Sequence, residues 1–375
     1  MQGGAGASRS QTHGGDDRLR YSAGVIHLRR LRAAIDSSVS TNSTPDEAAV
    51  VLSALRQMGL VDAGETPAVT PLTGGVSSLI VRVDTRRGPL CVKQALPALK
   101  VTSEWLAPQD RSHAEVAWLR EVSARWPQAV PELLGEDPAT YCFAMSWLPP
   151  PDYPVWKAQL RDGCADLATA KQVATLVAAI HAGTAGNPAL ARRFAFDRNF
   201  FELRLDPYFG AAALAHPDCA PALRQLSADT AARKLALVHG DISPKNILAG
   251  PAGPVILDAE CAWYGDPAFD AAFCLCHLLS KCLWQAAHRV HYLAAWDAFC
   301  DAYLDGVRWE PRDAIAGRIA RLLAAILLAR VDGKSPLEYL GEAERALQRQ
   351  FARRWLLARD CTLAAMRSDW QAMLA

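Results

Sequence analysis

The segment from His239 to Glu260 carries most of the residues whose types and spacing suggest chemistry. Asp241 stands near its start, Asn246 comes after four intervening residues, and Asp258 follows an apolar run. Protein kinases use this order, an Asp, four residues, an Asn and a later Asp, to orient a hydroxyl and to bind the metal ion on a nucleotide. The spacing therefore predicts phosphoryl transfer from a nucleotide.

Each polar residue of this segment has a predicted role. Asp241 is the candidate base, because its carboxylate can accept the proton of a substrate hydroxyl. Asn246, Asp258 and Glu260 supply hard oxygen atoms of the kind that Mg²⁺ prefers. His239 is expected to support the loop structurally, through hydrogen bonds.

Residues just beyond Glu260 have predicted roles as well. Asp270, in a G-D-P-A-F-D run, is expected to accept hydrogen bonds from the backbone of the catalytic loop. Trp263 and Tyr264 are candidates for the wall of an acceptor pocket. Plain packing fits these two aromatic residues equally well, because their segment is half apolar.

On the N-terminal side, Gly74 and Gly75 stand between two predicted strands. Glycines let backbone N–H groups approach phosphates, because no side chain intervenes. Lys93 lies in the next apolar strand, where kinases carry the cation for nucleotide phosphates. Glu115, on the helix that follows, is expected to pair with Lys93. A plain turn, an edge-strand lysine and an exposed helix acid remain the alternatives.

The elements that position these residues can be predicted from helix and strand signals. A helix is expected from residue 44, where a cap residue, a proline and two acids follow one another. Its predicted apolar face consists of Val50, Leu52, Leu55 and Met58. The other predicted elements are strands at 69–72, 79–83, 90–93 and 141–145, a helix at 112–124, and a hairpin at about 236–260.

Strands come first and helices afterwards, which predicts an α+β chain with a cleft between its two parts. A run of prolines at 149–151 is a natural boundary between them. We therefore expect a β-rich N-lobe at 44–148 and a mostly helical C-lobe at 149–375. Residues 1–43 are rich in Gly, Ser and polar residues at their start and are predicted to form a disordered or partly helical leader.

Composition narrows the functional class. The chain has 375 residues, of which 51% are hydrophobic, enough for two lobes with cores of their own. Its 40 Lys and Arg residues nearly balance 39 Asp and Glu residues, which argues against nucleic acid as the main partner. The 10 cysteines are scattered without metal-site spacing, so buried free thiols are expected.

Targeting signals are not recognisable in the sequence. The first residues lack the apolar core of a secretory signal, and no apolar run is long and uncharged enough to cross a bilayer. We therefore predict a cytoplasmic protein without a membrane partner.

Together these residues resemble the aminoglycoside phosphotransferase-like kinases, which share the protein-kinase-like fold. The resemblance covers most of the chain after about residue 69, and it depends on an H-G-D-x-x-x-x-N segment followed by I-L-D-x-E and G-D-P-x-x-D. It implies a two-lobed kinase-like fold, ATP and Mg²⁺ as cofactors, and a hydroxyl-bearing small molecule as acceptor. A homodimer is left open.

The resemblance also implies the roles given above for Asp241, Lys93 and the metal ligands. In addition it implies a hinge beside the adenine at Met145–Leu148, so Met145 and Trp147 are predicted nucleotide contacts.

Within that group the N-terminal part is most similar to methylthioribose kinase. The similar residues are Gly74-Gly75, Val92–Pro97, Glu104-Trp105, Asp110-Arg111, Glu115, Asp258-Ala259-Glu260 and Trp263–Gly265. A methylthioribose kinase-like sugar kinase is therefore the leading expectation.

Two departures leave the acceptor open. Asn246 is closer to the aminoglycoside kinases than to methylthioribose kinases. The adjacent arginines that the latter use for substrate align with Ala324-Ala325, and the loss of such cations removes charge-assisted hydrogen bonds. Arg330, which follows shortly, is a candidate acceptor contact.

Three rival functions remain. An aminoglycoside or other antibiotic kinase would need an acidic acceptor pocket, whereas the C-terminal stretch is rich in arginine. A protein kinase is disfavoured, because no A-P-E-like segment follows Asp258. A non-catalytic binding module would require a lost catalytic residue, yet Lys93, Asp241, Asn246 and Asp258 are all present.

Overall fold

The computed structural model describes residues 45–72, 77–97 and 108–374. Gly74, Gly75 and the leader at 1–43 lie outside these residues, so the predictions made for them stay predictions. The confirmed fold class is α+β, with a small antiparallel sheet in the N-lobe and a helix-rich C-lobe. The division after residue 148 stays a prediction.

The N-lobe is built on a five-stranded antiparallel sheet of order β1-β2-β3-β5-β4. Lys93 lies in β3 and pairs with Ile80 of β2 and Phe143 of β5, so two strands flank it. The elements of this lobe are α1 (Pro45–Gln57), β1 (Ala68–Pro71), β2 (Ser78–Thr85), β3 (Gly88–Ala95), α2 (Arg111–Ser123), a 3₁₀ turn (Pro127–Ala129), β4 (Leu133–Asp137) and β5 (Cys142–Ser146).

Helix α1 corrects one prediction. Val50 was expected on its buried face, but its side chain is 38% exposed, whereas Val51, Ala54 and Leu55 are fully buried. The spacing of positions 51, 54 and 55 follows one face of a helix, and position 50 lies a full 100° away from position 51. The packed face is therefore rotated from the predicted one.

The C-lobe contains the remaining helices and two short hairpins. Helix α9 is buried along almost its whole length and packs against α10 and α11. The elements are α3 (Trp156–Arg161), α4 (Leu167–Thr184), α5 (Pro188–Arg193), α6 (Asp197–Phe200) with a π-helix (Phe201–Gly210), α7 (Ala211–Ala215), α8 (Ala220–Ala232), β6 (Ala236–Val238), a 3₁₀ turn (Pro244–Asn246), β7 (Ile247–Gly250), β8 (Gly253–Ile256), β9 (Trp263–Gly265), α9 (Ala268–Trp284), a 3₁₀ turn (Ala286–His288), α10 (Arg289–Gly306), α11 (Arg312–Asp332), α12 (Glu342–Leu357) and α13 (Leu363–Met373).

Two predictions about composition can be compared with the structure. All ten cysteines are free thiols, and all except Cys164 are buried or nearly so, which confirms the expectation of buried free thiols. None of the helices in the described residues is long and apolar enough to span a membrane.

Candidate active site

The loop between β6 and β7 carries the H-G-D segment in a conformation that requires glycine. Gly240 has a φ of +79°, in the left-handed region. A Cβ atom at this position would lie 2.8 Å from both the Cβ and the carbonyl oxygen of Cys261. Any other residue would therefore disturb the loop on which Asp241 stands.

Asp270, in the first turn of α9, holds this loop by hydrogen bonds. Its Oδ2 accepts a hydrogen bond from the backbone N–H of His239, and its Oδ1 accepts one from Gly240, both at 2.8 Å. The predicted contact between Asp270 and the loop backbone is thus present. His181 Nε2 also lies within hydrogen-bond distance of Asp270 Oδ2, at 3.1 Å, and helps to fix the carboxylate.

His239 is buried and forms hydrogen bonds through both ring nitrogens. Its Nδ1 accepts from the backbone N–H of Asp241 at 3.1 Å, so the proton resides on Nε2, which lies 3.1 Å from the carbonyl oxygen of Leu257. Burial lowers the pKa of His239, outweighing Asp270 and other carboxylates. A neutral imidazole therefore links the catalytic loop to the residue before Asp258.

Asp241 is buried between two cations. Its Oδ2 lies 2.9 Å from Arg204 Nη2 and 3.2 Å from Lys245 Nζ. Burial alone would raise the pKa of the carboxyl, but Lys245 and Arg204 outweigh it and hold the pKa of Asp241 well below its usual range. Asp241 is thus an ionised carboxylate, as an acceptor of a hydroxyl hydrogen bond must be.

Arg204 was not anticipated from the sequence. It lies in the π-helix and donates from Nε to the carbonyl oxygen of Gly240 at 2.6 Å, besides its ion pair with Asp241. Wide π-turns are frequent at functional sites. Pro207 inside this helix, and an arginine flanked by Leu203 and Leu205, were the available signals.

Lys93 connects the two lobes through carboxylates. Its Nζ lies 2.6 Å from Glu115 Oε2 on α2 and also forms a close ion pair with Asp258. Burial lowers the pKa of Lys93, but Asp258 and Glu115 more than compensate, so the ammonium group stays charged. The pairing expected between Lys93 and Glu115 is present in the structure.

Asn246 and Asp258 flank the β7–β8 hairpin and are joined through its backbone. The N–H of Leu257 donates to the carbonyl oxygen of Asn246 at 2.8 Å, and Asp258 adopts a φ of +67° that re-aims the chain after it. The side chain of Asn246 donates from Nδ2 to the carbonyl oxygen of Asp241 at 3.1 Å. Its Oδ1 is thereby the amide atom left for a ligand.

This donor set fits a hard divalent cation. Asn246 Oδ1 and the carboxylate of Asp258 are oxygen ligands of the kind that Mg²⁺ prefers. In the structure the Oδ2 of Asp258 lies 3.8 Å from Lys245 Nζ, and its Oδ1 faces Lys93. Burial raises the pKa of Asp258, but Lys93 and Lys245 outweigh it and lower the pKa, so the carboxylate is ionised, as a metal ligand must be. Within the described residues, no group of three or more His, Cys, Asp or Glu forms a metal site on its own.

Glu260, the other predicted ligand, is engaged elsewhere. Its Oε2 forms a buried ion pair with Arg111 Nε at 3.1 Å. Arg111 also donates to the carbonyl oxygens of Pro108 and Leu96, at 2.8 and 2.7 Å. Both Glu260 oxygens would become free for a metal ion only if this ion pair broke. The role of Arg111 in holding Glu260 against α2 was not predicted.

The predicted nucleotide contacts lie at the end of the sheet. Met145 is in β5, opposite Cys91 of β3, and Trp147 follows just after the strand. The guanidinium of Arg82 lies over the Trp147 ring, 5.2 Å from its centroid. Their contact with adenine stays a prediction.

The structure does not support Trp263 and Tyr264 as walls of an acceptor pocket. Both are buried in β9, where Trp263 stacks on Phe200 with ring centroids 4.1 Å apart. The hydroxyl of Tyr264 donates to backbone carbonyls and accepts from the N–H of Asn187 at 2.9 Å. Packing, the alternative left open by the sequence, describes both residues. Arg330, the other candidate acceptor contact, lies on α11 beside Tyr208.

Comparison with known proteins decides the family. The model of a phosphotransferase enzyme family matches residues 68–309. The chain belongs to this family. It is therefore an enzyme, a small-molecule kinase that transfers a phosphoryl group to a hydroxyl. No curated protein matches it in sequence.

Several solved structures are similar to this phosphotransferase at low sequence identity. A choline/ethanolamine kinase family protein from Mesorhizobium loti is 16% identical with a TM-score of 0.50, covering 88% of this chain and 98% of that one. Plasmodium vivax ethanolamine kinase is 10% identical with a TM-score of 0.48 (97% and 96% covered). An aminoglycoside phosphotransferase from Alicyclobacillus acidocaldarius is 14% identical with a TM-score of 0.46 (91% and 98% covered).

Proposed function

We propose that this phosphotransferase transfers the γ-phosphoryl group of ATP, bound with Mg²⁺, to a hydroxyl of a sugar or sugar-like metabolite. The observation that carries the proposal is the ionised, buried carboxylate of Asp241, held by Arg204 and Lys245 beside the Asn246–Asp258 pair. A carboxylate in this state can orient an acceptor hydroxyl and take up its proton late in the transfer.

Each residue has a proposed task. Lys93, fixed by Glu115, would bind the phosphates of the nucleotide. Asn246 Oδ1 and Asp258 would hold Mg²⁺, which neutralises charge on the phosphates when bound. Gly74 and Gly75, with Met145 and Trp147, would line the nucleotide site. Catalysis then depends on positioning and charge, without a covalent intermediate on the protein.

The acceptor is proposed on narrower grounds. The resemblance of the N-lobe to methylthioribose kinase supports a sugar-like acceptor. Ala324 and Ala325, which stand where that family has arginines, are fully buried in α11 and bring no charge. Methylthioribose is therefore one member of the class to be tested. Glu260 as a second metal ligand remains part of the proposal only if Arg111 releases it.

The first test replaces Asp241 with asparagine. Asp241→Asn keeps the size of the side chain and removes its basicity, so turnover with MgATP should fall by about 10²–10⁴. The assay measures ADP formation over a panel of sugars, amino alcohols and aminoglycosides, with nucleotide binding measured by calorimetry. Binding should remain within a few-fold of wild type.

Asp229→Asn is the matched control, because Asp229 is exposed on α8 and accepts a hydrogen bond from Gln225 at 2.8 Å. It should behave like wild type. Retained turnover in Asp241→Asn would contradict the assignment of the base, and so would an equal loss in both variants.

A further inference from the structure

Helix α9, whose residue Asp270 accepts hydrogen bonds from the catalytic loop, also carries residues with an unusual charge balance. Phe273, His277 and Lys281 follow one another at four-residue spacing after Asp270, and therefore lie along one face of the helix. The rings of Phe273 and His277 are 5.6 Å apart. At about 1.5 Å per residue, Lys281 lies well beyond Asp270 along the axis.

Lys281 is buried among aromatic rings. The residue is only 1% exposed. Its Nζ lies 4.6 Å from the ring centroid of Trp284 and 4.5 Å from that of Tyr339. Aromatic faces attract an ammonium group but do not accept its hydrogen bonds as oxygen atoms do. Lys281 Nζ has no hydrogen-bond partner among the described residues.

Arg330, on α11, lies close enough to Tyr339 and His277 to shift their pKa values, and it is connected with the catalytic loop. Its Nη1 lies 2.7 Å from Ser335 Oγ and 3.4 Å from Tyr208 Oη. The ring of Tyr208 lies under the guanidinium groups of both Arg330, at 5.9 Å, and Arg204, at 5.6 Å. Because Arg204 pairs with Asp241, the contacts run without interruption from the carboxylate to Arg330.

We call His277, Lys281, Arg330, Tyr208 and Tyr339 the cationic cluster. Arg330 Nε and Tyr339 Oη are buried without a hydrogen-bond partner, like Lys281 Nζ. Within the part of the chain that the structure describes, neither cation of the cluster forms an ion pair with a carboxylate. A buried cation without a counter-charge is strongly destabilising, so a partner from outside the chain would offset its cost.

The electrostatics of the cluster agree with this charge excess. Burial lowers the pKa of Lys281 to about 8, and the nearby Lys157 adds to the effect. Burial, Arg330 and Lys281 depress the pKa of His277 well below its usual range, so its imidazole is neutral. Glu338 is the nearby acid, and it is held by Lys157 at 2.6 Å.

We infer that the cationic cluster is the subsite for an anionic group, a carboxylate or a phosphate ester, on the hydroxyl-bearing acceptor. The inference rests on the proposed function and names the class of its acceptor. Lysine and arginine donate charge-assisted hydrogen bonds to such groups. The acceptor hydroxyl would meet Asp241, and the anion would lie on the far side of Tyr208.

Cationic acceptors fit this subsite poorly. A positively charged aminoglycoside or amino alcohol would face Lys281 and Arg330, while the nearby acid Glu338 is already paired with Lys157. Like charges across an interface reduce affinity. The subsite therefore separates this phosphotransferase from kinases of cationic alcohols.

The test compares acceptors that differ in charge. ADP formation is measured with ribose, ribose 5-phosphate, glucose, gluconate and glucosamine. An anionic member of a pair should exceed its neutral counterpart in kcat/KM by at least tenfold, and the ribose 5-phosphate and gluconate arms distinguish a phosphate ester from a carboxylate. Preference for glucosamine or for the neutral sugars would overturn the inference.

Variants locate the effect. Lys281→Met and Arg330→Met should each raise KM for the anionic acceptor by about tenfold or more, with little change for its neutral counterpart. Lys281→Arg keeps the charge and should retain most of the affinity. This variant distinguishes loss of charge from a general disturbance of the fold at this position. Lys171→Met, at an exposed lysine of α4, should leave KM unchanged.

A binding measurement covers the case in which none of these compounds is phosphorylated. Inorganic phosphate, sulfate and gluconate should raise the melting temperature of wild type more than that of Lys281→Met. Equal shifts would overturn the inference. Asp241→Asn should lose turnover on every acceptor. If it does, while Lys281→Met binds and uses the anionic acceptor as wild type does, the subsite is refuted and the proposed function stands.

Discussion

The catalytic network and the cationic cluster lie next to each other but differ in how their charged groups are paired. The catalytic network consists of Lys93, Glu115, Arg204, Asp241, Lys245 and Asp258. In the network, Lys93, Lys245 and Arg204 each contact a carboxylate. In the cluster, Lys281 and Arg330 contact aromatic rings and no carboxylate in the described residues. The network has partners for its charges within the chain, whereas the partner proposed for the cluster comes from outside it.

This difference explains why the two regions should respond differently to substitution. Removing a cation from the network leaves a buried carboxylate unpaired, which is destabilising. Removing a cation from the cluster removes an uncompensated charge, which should stabilise the free protein and weaken binding of an anion. Opposite signs in stability are the clearest way to test the comparison.

The largest effect is expected at Lys93. Lys93→Met leaves Glu115 and Asp258 without their shared cation, so the free energy of unfolding should fall by about 3–5 kcal/mol. Turnover should fall below detection, because the nucleotide phosphates lose a proposed ligand. Urea denaturation and ADP formation measure the two losses.

A double variant separates stability from activity at this site. Adding Glu115→Gln to Lys93→Met removes one of the stranded charges and should recover part of the lost stability without recovering turnover. A single variant within about 1 kcal/mol of wild type would show that the Lys93 pairs contribute little, against the usual cost of breaking a buried pair.

A smaller effect is expected at Arg204, and it depends on pH. Asp241 has a depressed pKa in the folded protein, so its contribution to stability is present above the unfolded pKa, about 4, and is lost as pH falls toward the folded value. Arg204→Met leaves Lys245 alone to oppose burial, so the pKa of Asp241 should rise. At pH 7 the variant should be less stable by about 2 kcal/mol.

Two readouts check this prediction. The stability difference between wild type and Arg204→Met should shrink as pH falls below about 4, and the acid limb of the kcat/KM profile should move to higher pH. Arg204→Lys retains the charge and should shift the limb less. An unchanged acid limb would mean that Arg204 does not set the protonation of Asp241.

The same comparison shows how far the sequence could predict the site. Asp241, Asn246 and Asp258 lie within one short segment, and a local loop and hairpin bring them together, so their spacing carries the information. Arg204 contacts Asp241 from a π-helix, and the periods of the α-helix and the β-strand used to read a sequence do not describe a π-helix. Its contact depends on tertiary packing.

The cationic cluster was hidden for a related reason. Lys281 lies near the end of an almost wholly apolar helix. A lone lysine in the last turn is a common sign that a helix ends there, so it did not indicate a buried cation. Only the packing of α9, α11 and the segment after it shows that rings surround this lysine. Tertiary packing also decides between the two interpretations left open for Trp263 and Tyr264, because their burial in β9 depends on partners distant in the chain.

The smallest effect, and the one of opposite sign, is expected at Lys281. Its pKa is lowered from 10.5 to about 8 in the folded protein, so folding disfavours its charged form. This cost is fully present below pH 8 and disappears as pH rises through the unfolded pKa, where both states are neutral. Lys281→Met should therefore be more stable than wild type at pH 7, by on the order of 3 kcal/mol at most.

The pH dependence gives the decisive observation. The advantage of Lys281→Met should shrink between pH 8 and about 10.5, and saturating phosphate should reduce it at pH 7, because an anion in the cluster favours the charged lysine. Lys171→Met, at an exposed lysine of α4, should stay within about 0.5 kcal/mol of wild type throughout. A Lys281→Met variant less stable than wild type at every pH would mean that contacts with Trp284 and Tyr339 outweigh the buried charge, and the contrast between the two regions would fail.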